Sequence, residues 1–69
     1  MKQENVVFDG HQLSLRVFKQ ADTEDCSFEL YDHSVPDGTN PYLYTVDYLD
    51  EDTAMAEFWK VSSDVAAYI

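Results

Sequence analysis

Cys26 and His33 are the residues that could supply a nucleophile and a base. They lie seven residues apart along one extended segment, so their side chains point to opposite faces. Cys26 reads instead as a small buried apolar residue, and His33 as the residue at a strand end. No Gly-rich phosphate loop, nucleophile elbow or His-Glu metal motif occurs, and two glycines leave little room for one. The chain is therefore expected not to be an enzyme. Asp47, Asp50, Glu51 and Asp52 form the one carboxylate cluster that could attract a hard cation. Its spacing does not make a calcium loop, since no Gly follows at the sharp-turn position, and helix capping explains it more simply. One Cys and two His are an incomplete zinc set, so neither metal nor cofactor is expected.

What remains is charge. Fourteen Asp and Glu stand against four Lys and Arg in 69 residues, a formal charge of -10. A domain that tolerates this self-repulsion has a use for it, and the use that fits is binding something basic. The absence of basic clusters argues against direct contact with nucleic acid or an anionic membrane. At 45% hydrophobic and 14% aromatic the composition is too apolar for an acidic disordered tail, so a core is expected. The length suits one domain, residues 1–69, with room to dimerise to extend that core. Cys26 has no intrachain partner for a disulfide, which fits a cytoplasmic protein. No signal peptide is expected, because Met1-Lys2-Gln3-Glu4 is followed by no long apolar run, and no stretch approaches a membrane span.

Periodicity supplies the elements that must hold these charges. Asn5 to Phe8 reads as a first strand, ended by Asp9-Gly10, a dipeptide suited to a two-residue hairpin turn. From His11 to Lys19 the residues alternate, with Leu13, Leu15 and Val17 on one side. After the polar loop Gln20 to Asp25, Cys26, Phe28 and Leu30 repeat the pattern, and a symmetric loop sets Arg16 across from Glu29. Both prolines fall between Val35 and Pro41, where regular structure must stop, and Tyr42 to Tyr48 is the fourth strand.

The period then changes to three and four, with Asp50 as N-cap and Ala54, Phe58, Val61 and Val65 as the buried stripe of a helix to Tyr68, about 28 Å long. The expected fold is α+β: an antiparallel sheet of three to four strands (β-β-β-β-α) packed against one C-terminal helix. Leu13, Leu15, Val17, Phe28, Leu30, Tyr44 and Val46 would meet the helix stripe.

Mapped onto this scaffold, Asp22, Glu24 and Asp25 crown the hairpin loop, and Asp47, Asp50, Glu51 and Asp52 cluster at the helix start. Glu29 faces outward on the third strand, and Glu57 and Asp64 share one line of the helix. These ten are the candidate partner-binding residues. In size, charge and element pattern the chain resembles the small acidic proteins with which phages disable bacterial defences, anti-CRISPR proteins above all. The resemblance runs through segments such as Ala21-Asp22-Thr23-Glu24-Asp25 and Leu49-Asp50-Glu51-Asp52. It implies a stoichiometric inhibitor that mimics DNA charge and occupies the basic nucleic-acid channel of a defence complex, such as a CRISPR surveillance complex. The alternative is a protein-interaction module, antitoxin-like or an assembly partner, that binds through Tyr31, Tyr42, Tyr48, Trp59 or an open sheet edge.

Overall fold

A computed structural model describes all residues, Met1–Ile69. Four strands, β1 (Lys2–Phe8), β2 (His11–Lys19), β3 (Cys26–Asp32) and β4 (Tyr42–Leu49), form an antiparallel meander in chain order. A helix, α1 (Glu51–Ser62), and a 3-10 turn (Val65–Tyr68) complete the chain. This is the β-β-β-β-α arrangement that the periodicity suggests. β1 starts three residues before the expected Asn5, since Lys2, Gln3 and Glu4 pair with Val17, Arg16 and Leu15.

Asp9 and Gly10 both have positive φ, 48° and 79°, the type I′ geometry whose twist matches that of the flanking strands. The alternation of β2 and β3 then decides the layers. Leu13, Leu15, Val17, Cys26, Phe28 and Leu30 are buried beneath Ala54, Phe58, Val61 and Val65. Phe28 meets the Phe58 ring edge-on at 6.3 Å, the favoured geometry for two quadrupoles. Tyr44 and Val46 are only half-buried, because β4 is an edge strand that the helix covers incompletely.

The helix is shorter than its apolar stripe implies. Asp50 caps it by accepting the Thr53 N–H at 2.7 Å, and Glu51 and Asp52 fill the first turn, where carboxylates complement the dipole. At Ser63 the hydroxyl back-bonds to the Trp59 carbonyl at 2.7 Å and the ladder stops. Val65 and Tyr68 still pack inward, but from the 3-10 turn. The helix therefore spans about 18 Å, and not the 28 Å expected. No helix of the protein is long and apolar enough to cross a membrane.

Candidate functional site: the acidic end of the sheet

An antiparallel meander sends alternate connections to opposite ends. One end gathers the β2–β3 loop, the close of β4 and the start of α1, with Cys26 opposite Leu49 and the Gln20 amide oxygen accepting the Tyr48 N–H at 3.1 Å. Seven of the ten candidate residues meet there: Asp22, Glu24, Asp25, Asp47, Asp50, Glu51 and Asp52. All are exposed except Asp25, which is half-buried.

The cations at this end are few and occupied. Lys19 Nζ sits 2.9 Å from Glu24, whose hydrogen bond and charge hold the ammonium above its ordinary range, with Cys26 and Glu51 adding to the same field. Glu51, the smallest of these contributions, belongs to the helix start. Glu24 is lowered in return by Lys19. Lys2 begins β1 at this end, but its ammonium lies over the rings of Phe58 and Trp59, at 5.2 and 4.9 Å.

Two of the seven carboxylates also serve the fold. Asp50 is held below the usual carboxylate range by the Thr53 backbone N–H first and its hydroxyl second, and Asp47 accepts from Ser27 Oγ at 2.8 Å. A carboxylate that accepts one bond keeps other lone pairs for a partner. Asp22, Asp25, Glu51 and Asp52 make no side-chain ion pair or hydrogen bond.

The other three candidates do not join this end. Glu29 lies mid-strand on the face away from the helix, 15% exposed, opposite Arg16 as expected and 2.8 Å from its Nε. The buried Nε makes no aligned hydrogen bond, so the attraction there is that of charges, and the guanidinium also stacks on Phe18 at 4.1 Å. Glu57 is half-buried and accepts the Tyr44 hydroxyl at 2.5 Å. Asp64 falls past the end of α1, so the expected line from Glu57 to Asp64 along one helix edge does not exist.

Tyr48 belongs to the acidic end, next to Asp47 and two residues before Asp50 in the chain, and is 71% exposed. Its φ of 62° is rare for a bulky side chain and follows the register shift between β3 and β4. The sequence marks Tyr48 as aromatic but carries no sign of this turned-out backbone.

At the opposite end sequence reasoning missed a carboxylate. Asp32 is 1% exposed and accepts from His11 Nδ1 at 2.6 Å and from the Ser34 N–H at 2.8 Å. Burial pushes its carboxyl upward, but the Ser34 amide and His11, with a field from His33, outweigh this and leave it below the usual value. An ionised Asp32 accepts only, which puts the His11 proton on Nδ1. The signal was present: Asp32 continues the inward phase of Phe28 and Leu30, as His11 continues that of Leu13 and Leu15.

His33 Nε2 is 3.1 Å from Ser14 Oγ, the reach of a base to a nucleophile. The nearby carboxylate is committed to His11, so none orients His33. Cys26 and His33 stand at opposite ends of β3, with Cys26 buried against the helix and its Sγ 3.8 Å from Met1 Sδ. No three His, Cys, Asp or Glu side chains come together as a metal site. No protein-family model, curated protein or solved structure matches the chain, so no relative's residues can be carried over.

Proposed function

We propose that the protein is a stoichiometric inhibitor that inserts its acidic end into the Lys/Arg-lined nucleic-acid channel of a bacterial defence complex, a CRISPR surveillance complex being the expected target. The observation that carries this reading is the convergence of seven carboxylates on one end of the sheet, with Lys19 already paired and Lys2 turned over aromatic rings. Nucleic-acid channels are built to receive closely spaced phosphates, and fixed carboxylates on two adjoining loops can take those places and release the same counterions.

Charge supplies rate and steering, whereas affinity needs a desolvated anchor. Tyr48 fits that part, projecting from among the carboxylates with a face on which an arginine of the channel can stack. Inhibition is then by occupancy, with no turnover and no cofactor. The reading in which exposed aromatics alone bind and the charge serves solubility is supported by Tyr42, Tyr48 and Trp59, and it makes a different demand on salt.

The test is a DNA-binding assay on a purified surveillance complex titrated with the protein. Loss of DNA binding should saturate near one protein per channel and weaken steeply as salt rises. Association that ignores salt contradicts the mimicry.

A further inference from the structure

We infer that β1 is a homodimerisation edge, pairing antiparallel with β1 of a second copy in a register centred on Asn5. The reason is the direction of its backbone groups. A two-residue type I′ turn closes on a hydrogen-bonded pair, here Phe8 with His11, and such pairs alternate along an antiparallel ladder. Lys2, Glu4, Val6 and Phe8 therefore bond to β2, while Gln3, Asn5 and Val7 send N–H and C=O outward. Gln12, the partner of Val7, confirms the phase. Its carbonyl accepts from the His33 N–H and its N–H donates to Ser34 Oγ, both away from β1.

This outward row is its own complement. With Asn5 opposite Asn5, Gln3 falls opposite Val7 of the second copy, and every outward N–H of each strand meets an outward carbonyl. No other register uses all three residues. Neither proline nor bulge blunts the edge: β1 is the outermost strand of the sheet, and its Val7 is 75% exposed. A trough of about 330 Å³ on the sheet face turned from the helix adjoins this edge, walled by Gln3, Asn5 and Val7 of β1 and, further in, by Gln12 and His33. The other edge, β4, is broken by two register shifts and the left-handed Tyr48.

Charge selects the same arrangement. β1 is neutral in sum, with Lys2 and Glu4 its only charged residues. Antiparallel pairing sends the acidic ends of the two copies to opposite ends of the joined sheet, where repulsion is least. On the helix side Phe8, 37% exposed, comes opposite Lys2 of the second copy and beside Trp59, which is 52% exposed. Both rings lose water together.

Sedimentation velocity on the full chain over a wide range of concentration tests this. The mass should double from 8.0 kDa as concentration rises. The emission of Trp59, the single tryptophan, should shift to the blue over the same range. Added salt should strengthen the association by screening like charges, the reverse of its effect on an inhibitor in a basic channel, so the two proposals fail separately. Asn5→Pro removes an outward N–H without touching the β1–β2 ladder and should leave a folded monomer. Gln3→Pro does the same one outward position earlier and serves where the first variant folds poorly. A chain that stays monomeric at every concentration, or a dimer that both folded variants retain, overturns the inference.

Discussion

The two ends of the sheet use carboxylates in opposite ways. At one, Asp22, Glu51 and Asp52 hang in water with no partner in the chain; at the other, Asp32 is sealed from solvent and bonded to His11 and Ser34. The chemical group is the same, and its surroundings decide what it does. A buried, fully bonded carboxylate belongs to the fold, whereas an exposed, unpaired set is free for a partner. The fourteen carboxylates thus do not form one class.

Substitution should separate the two ends most sharply at Asp32. Replacing it with Ala strands His11 and the Ser34 N–H, and should cost about 3 kcal/mol of unfolding free energy by denaturant titration. A loss as small as that of a surface change would mean that Asp32 is not a fold carboxylate. Its pH dependence has a fixed sign. The folded value lies below the ordinary 3.8, so its stabilisation is complete above that pH and disappears as pH falls through the folded value.

Tyr44→Phe should cost about 1.5 kcal/mol, because the Tyr44 hydroxyl bonds to a charged, half-buried Glu57. The hydrogen bond first, then burial, pushes the Tyr44 hydroxyl up from 10.0 to about 12. Its contribution is therefore present below pH 10 and lost as pH rises towards 12, which an alkaline unfolding series would follow. Asp50→Ala removes the helix cap and should cost about 1 kcal/mol. At the bottom of the scale, Glu51→Ala and Asp52→Ala should change stability by no more than about 0.5 kcal/mol, as exposed side chains without partners do. A large loss there would move them into the class of Asp32.

How much of this was legible in the sequence differs by residue. Period-two alternation through Leu13–Val17 and Cys26–Leu30 specified the layers, and Asp9-Gly10 specified the first hairpin, because both depend on local chemistry. The Arg16–Glu29 pair followed from loop symmetry. The helix end did not follow, since Val65 and Tyr68 keep the apolar period while the backbone has already left it at Ser63. Convergence of the β2–β3 loop with the helix start could be read once the strands were set in chain order. Tyr48 could not, because its left-handed backbone comes from how β3 and β4 slip past one another.

The proposed inhibition requires the position of the acidic end, and not net charge alone. It is tested most directly by two variants of equal charge, Glu51→Lys with Asp52→Lys and Asp37→Lys with Asp64→Lys, compared in the DNA-displacement assay. All four side chains are exposed and none of them forms an ion pair. The first pair should weaken inhibition by about a hundredfold while the second leaves it within a few-fold of the parent. Equal losses in both variants would contradict it, reducing the protein to an undirected polyanion.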